Sequence, residues 1–194
     1  MTKRSGKKHT VRTIGKVRKV LCLPNVLGLK KEQITKVVGD CRQSMLERKN
    51  GDGRLIPLVA GRVATAAVID ALQAVPTLRV SRVGTTDIIV VDGVRMRIHA
   101  VCNKGVYVLA ETKNAVPVDA VIAVRVRFLD SENDLRKVKL SFLGCRRWDE
   151  VAVSECFHAA GSRIVLPSTD DYPRGGGFSI AKDCYAVMAE EFAA

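Results

Sequence analysis

AGRVATAAVIDALQAVPTLRVSRVGTTDIIVVDGVRMRIHAV, residues 60–101, is the stretch on which the reading of the fold turns. Between Pro57 and Val75 the apolar residues Leu58, Val59, Val63, Ala67, Val68, Ala71, Leu72 and Val75 recur at spacings of three and four, so one face is apolar. That pattern predicts a helix, with Pro57 suited to its first turn and Pro76 ending it. Three β-branched runs follow, at Leu78–Val83, Asp87–Val91 and Val94–Val101. Asp92-Gly93 between the last two is a strong hairpin signal, because both turn positions tolerate positive φ. A long helix therefore feeds a strand and then a tight hairpin.

Working outward, Gly105–Ala110 reads as a short strand. Asp119–Leu129 is apolar through Val124 and then alternates with Arg125 and Arg127, as in a central strand that emerges at its end. Leu135–Gly144 alternates as a half-exposed strand, and Arg146–Val151 can begin a short helix. Farther on, Arg163–Pro167 is extended, Ser168–Gly177 is a loop by composition, and Ala186–Phe192 is expected to be a terminal helix.

The order from the Gly61-Arg62-Val63-Ala64 helix through Asp87, the Asp92-Gly93 hairpin and the strand with Arg97-Ile98-His99 resembles the core of the PD-(D/E)XK nuclease-like superfamily. In that family a G-x-x-[AG]-E helix precedes an Asp-led strand, a hairpin and a strand ending E-x-K. The resemblance covers about residues 57–145. It implies an α/β (α+β) fold with a restriction-endonuclease-like mixed sheet core, and it implies Asp87 as the retained acid. Thr65 stands where such enzymes carry Glu, and Arg97-Ile98-His99 stands where E-x-K falls. In that register two of three metal-site positions are lost, so no catalytic residue, metal or cofactor is expected. Glu111-Thr112-Lys113 is a literal E-x-K 24 positions after Asp87, in a place where a loop is expected; a solvated surface pair is the alternative to a displaced Mg²⁺ site there.

The chain of 194 residues is 47% hydrophobic, enough to bury a core of ordinary size. No apolar run approaches 18 residues and no signal-peptide pattern opens the chain, so a cytoplasmic or nucleoid-associated protein is expected. Six cysteines scattered without a C-x-x-C pair read as reduced thiols. Zinc-ligand spacing is missing around His9, His99 and His158.

The net charge of +12 is unevenly placed. Residues 1–54 hold 15 Lys+Arg against four acids, an excess of 11, which leaves +1 for the remainder. Such asymmetry is the electrostatic footprint of a polyanion-binding region. A solvated basic tail is the alternative; membrane attraction is disfavoured because the basic arm lacks aromatic anchors.

Val11–Leu23 reads as a basic amphipathic helix. Lys30–Lys49 looks like a helix-turn-helix, with Ile34, Val37 and Val38 inside a first helix, Gly39 at the turn, and Arg42-Gln43-Ser44 opening a second. One continuous amphipathic helix is the competing reading. Arg42 and Gln43 are suited to pairing with guanine and adenine edges. Asn50-Gly51-Asp52-Gly53 is the expected boundary between a basic helical region, residues 1–50, and an α/β domain, residues 54–194.

The expectation is therefore a non-catalytic, duplex-DNA-binding protein, a sequence-specific transcriptional regulator of repressor or phage type. Its DNA contacts would come from Lys7, Lys8, Arg12, Lys16, Arg18, Lys19, Lys36, Arg42, Gln43, Ser44, Arg48, Lys49, Arg97 and His99. A Mg²⁺-dependent endonuclease or junction resolvase using Asp87, and an RNA-binding assembly factor, are the alternatives.

Overall fold

The computed structural model describes residues 23–47, 55–102, 107–111, 117–130, 134–166 and 176–193. They form a mixed α+β fold around a six-stranded sheet. Helices α1 (Lys31–Glu47) and α2 (Leu55–Gln73) precede strands β2 (Val80–Arg82), β3 (Ile88–Val91) and β4 (Val94–Cys102). Then come β5 (Tyr107–Glu111), β6 (Ala120–Phe128), β7 (Val138–Arg147) and the short helix α3 (Trp148–Val151). Together with β1 (Val26–Leu27), the main sheet has the order β1-β7-β6-β4-β3-β2, antiparallel throughout except for the β4–β6 pair.

Alternation fixes the two faces of this sheet. Met96, Ile98, Ile122, Val124, Val126, Leu140 and Phe142 point to one face and join α2 in the main core through Val59, Val63, Ala67, Val68 and Leu72. Helix α2 is long and apolar enough to cross a membrane by length and composition; here eight of its residues are buried in the fold. The hairpin turn is as expected, with Asp92 at φ 48° and Gly93 at φ 87°. Asp92 also accepts a hydrogen bond from the Arg79 backbone N–H at 2.8 Å, which ties the turn to β2.

On the opposite face, Val101, Val121 and Ala123 pack under a second layer. That layer is the three-stranded sheet β5-β11-β8, in which β11 (Cys184–Met188) lies between β5 and β8 (Phe157–His158). A 3₁₀ turn at Ala189–Ala193 completes it and buries Phe192. Strands β9 (Arg163–Leu166) and β10 (Gly176–Ser179) form a separate hairpin.

Two expectations change. Residues 186–188 extend a strand where a helix was expected, because they pair with β5, continuing a strand whose first two residues pair with both β5 and β8. Residues 176 and 177, expected in a loop, pair with β9. The expected boundary at 50–53 lies outside the described residues; described residues before and after it pack in one cluster. Leu23, Leu27, Ile34, Val38 and Cys41 pack with the residues of α2, and β1 joins the main sheet beside β7. The described part of the N-terminal region is thus built into the α/β fold.

Candidate nucleic-acid interface

Strand pairing decides where the hairpin side chains meet. Ile88 is in register with Arg97, and the Ile98 N–H donates to the Asp87 carbonyl at 2.8 Å. This puts the carboxylate of Asp87 beside the guanidinium of Arg97, with Oδ2 and Nε 3.7 Å apart. Arg97 is only 11% exposed and Asp87 46%. The separation is that of an ion pair, and Arg97 Nε makes no hydrogen bond among the described residues. His99 follows two residues later on the same face, half-buried.

A divalent cation is held most readily by two carboxylates, which also orient it on a phosphate. Here the group beside Asp87 is a cation, which competes with a metal ion for the carboxylate. Thr65 is buried inside α2 and donates its hydroxyl to the Gly61 carbonyl at 2.8 Å, a local bond one turn back along the helix. Glu111 ends β5 as a strand residue in register with Cys184, where a loop was expected, and β5 belongs to the three-stranded sheet. Lys113 lies outside the described residues.

Helix α1 departs from the expected pair of helices. It runs unbroken from Lys31 to Glu47, and Gly39 is absent from the positive-φ glycines of the described chain. Ile34, Val38 and Cys41 carry the buried stripe straight across Gly39, and their burial outweighs the ~1 kcal/mol cost of a helical glycine. Lys36, Arg42 and Gln43 are exposed and Ser44 is half-buried. The Gln43 side chain donates to Glu47 at 3.0 Å. Lys31, Lys36 and Arg42 are balanced by Glu32, Asp40 and Glu47, so α1 as a whole is neutral. Lys7, Lys8, Arg12, Lys16, Arg18, Lys19, Arg48 and Lys49 lie outside the described residues.

The other sheet face carries cations that local patterns do not assemble. Register places Arg127 of β6 directly opposite Lys139 of β7, and Arg125 opposite Ser141, which is in turn opposite Val26 of β1. Arg127 and Lys139 are exposed, and Val26 is 75% exposed, so the second layer stops short of this corner. The alternation in RVRF and KVKL is the signal for these side chains, but only the strand pairing makes them neighbours. At the far side of the sheet, an open cleft of ≈ 490 Å³ is lined by Arg79, Val80, Ser81, Val90, Asp92 and Gly93.

Among the described residues, the thiols of Cys41, Cys102, Cys145 and Cys156 are shifted away from the reactive thiolate form. Burial pushes the Cys145 thiol up to about 12, with the charge of Glu150 adding to the effect. Burial also raises Cys102, and raises Cys41 against the opposing charge of Arg62. The five described cysteines are free thiols. Compared with protein-family models, curated proteins and solved structures, the chain matches none.

Proposed function

We propose that this protein binds duplex DNA through its sugar-phosphate backbone and occupies it without cutting. The observation that carries this reading is the placement of charge. Residues 1–22 hold eight Lys+Arg and no acid, and the chain then enters the fold at Leu23 and β1, an outer strand of the main sheet. Eight cations in 22 residues form a strong attractor for condensed phosphate charge.

The order α2, β2, hairpin β3–β4, then β6, β7 and α3 supports reading the α/β part as a PD-(D/E)XK-like core. Arg97 beside Asp87 supports the non-cutting form of that core, since a guanidinium occupies the side of the carboxylate where a second metal-binding acid is needed. A protein that holds duplex DNA in this way excludes others from it, which is the physical basis of repressor-type regulation. Any sequence preference then comes from DNA shape and deformability, because α1 is neutral and unbroken.

The test is a binding series of the full chain with random duplex DNA in Mg²⁺ across salt concentrations, the products then run on a gel. Retarded, uncut DNA is expected, with log K falling linearly in log salt by about 0.9 per phosphate contacted. Cleavage that disappears in Asp87→Ala, or the lack of any salt-dependent binding, refutes the proposal.

A further inference from the structure

We infer that the corner formed by Arg125, Arg127 and Lys139 is a phosphate-contacting surface for duplex DNA. The inference rests on the DNA-binding reading above and assigns it a surface within the fold. Arg127 and Lys139 are direct cross-strand partners. Like charges so placed repel and weaken a sheet, so the pairing is a cost to the free protein that a polyanion offsets.

Among the described residues, the acids nearest in sequence are engaged elsewhere. Asp130 pairs with Lys137 at 3.2 Å and Asp134 with Arg136 at 2.7 Å. None of the ion pairs described involves Arg125, Arg127 or Lys139. Arg127 and Lys139 are exposed and Arg125 is half-buried. Val101, in register with Arg125, is the last residue of this face under the second layer, and β4 ends one residue later.

Chemistry selects the occupant. Arg125 and Arg127 stand two residues apart on one strand, about 7 Å, and guanidinium groups bind phosphate oxygens in bidentate fashion. Aromatic side chains are missing from these positions, whose neighbours are Ser141 and Val26, so unstacked bases of a single strand find no platform. A flat cationic face of this kind suits the outer phosphates of a duplex. Val26 lies beside it through Ser141, seven residues after Lys19, the last cation of the basic N-terminal sequence, which brings the two positive regions close along the chain.

The experiment uses the full chain and a random-sequence DNA duplex of about 30 base pairs, followed by fluorescence anisotropy over a salt series. Replacing the three cations (Arg125→Ser, Arg127→Ser, Lys139→Ser) should make the slope of log K against log salt shallower by about 2–3, at ~0.9 per lost contact. A charge-keeping variant (Arg125→Lys, Arg127→Lys, Lys139→Arg) should retain the parent slope. Thermal melting without DNA guards against misfolding: Lys139→Ser alone should melt at or above the parent temperature, since repulsion is relieved, and should still reduce the slope by about 1. A parent-like slope in the triple variant overturns this surface and leaves DNA binding by the protein intact. No binding by the parent overturns both. A larger loss of affinity for an RNA duplex of the same sequence, or for phosphatidylserine vesicles, than for DNA overturns the choice of occupant.

Discussion

Gly144→Ala probes how the second layer is fastened to the sheet. Gly144 lies in β7 at a register shift against β6, where Leu143 is the extra residue, and its φ is +154°. A Cβ added there would lie inside the van der Waals envelope of the Phe192 carbonyl oxygen, 2.7 Å from its carbon and 3.3 Å from Phe192 Cβ. Ordinary carbon contacts are about 3.5–4.0 Å, so the 3₁₀ turn has to retreat by more than about 1 Å. Overpacking of that kind costs about 1–3 kcal/mol, and an alanine at this φ costs about 1–3 kcal/mol more. The expected loss is therefore about 2–6 kcal/mol, a large part of a typical stability of about 5–15 kcal/mol. With an m-value of about 3 kcal/mol/M, the urea midpoint falls by about 1 M or more. Trp148, the chain's single tryptophan, reports the transition from its packing against the second-layer core and its edge-on contact with Tyr185 at 5.7 Å. Phe192 is buried and has Arg146 above its ring at 5.8 Å, so Phe192→Ala loosens the same turn, and the double variant should cost less than the sum. A Gly144→Ala protein within about 0.5 kcal/mol of the parent, or strict additivity with Phe192→Ala, refutes this account of the join.

Gly39→Ala should stabilise the protein by about 0.5–1 kcal/mol in urea denaturation, because Gly39 is exposed inside a continuous helix and an added Cβ meets nothing within 4 Å. Destabilisation instead would mean that a turn is needed there. Cys145 makes stability fall in alkali. Its folded-state value of about 12 lies above the ordinary 9.0, so its contribution is full below pH 9 and is lost as pH rises toward 12, at up to about 1.4 kcal/mol per pH unit. Urea titrations at pH 8, 9 and 10.5 should show a shallower decline in Cys145→Ala, and an unchanged decline counts against burial as the cause.

What could be read from the sequence was local. The helix expected between Pro57 and Val75 spans Leu55–Gln73, and the Asp92-Gly93 hairpin, β6, β7 and the short helix after Arg147 follow from periodicity and turn chemistry. Pairing across long separations was not legible. The three-stranded sheet joins β5 to β11 at residue 184 and beyond, and no property of GVYVLA or CYAVM alone names the other. β1 is two residues long, too short for any periodic signal. Gly39 was ambiguous for a physical reason: a glycine can end a helix or be carried by one, and tertiary burial of Ile34, Val38 and Cys41 decides. At the site, the offset from Asp87 to Arg97 was visible because the hairpin turn sets its register. The Arg127–Lys139 pairing required the β6–β7 register, which a loop of uncertain length obscures in sequence.

Charge on the main sheet follows the same alternation that builds the core. On β4 the side facing α2 holds Met96 and Ile98, while Arg95, Arg97 and His99 fall on the other. On β6, Ile122, Val124 and Val126 face α2, and Arg125 and Arg127 do not. On β7, Leu140 and Phe142 face α2, with Lys139 opposite. The cations of three strands thus collect on one face, and Asp87 stands at its margin already paired with Arg97. A carboxylate in such a field is a weak nucleus for a metal site, because each neighbouring cation competes with the ion for it. The second layer covers the middle of this face and leaves the Arg127–Lys139 end open. On the proposed reading, the strand order is that of a nuclease-like core, and the cations gathered on this face are what would attract phosphate and hold it unreacted.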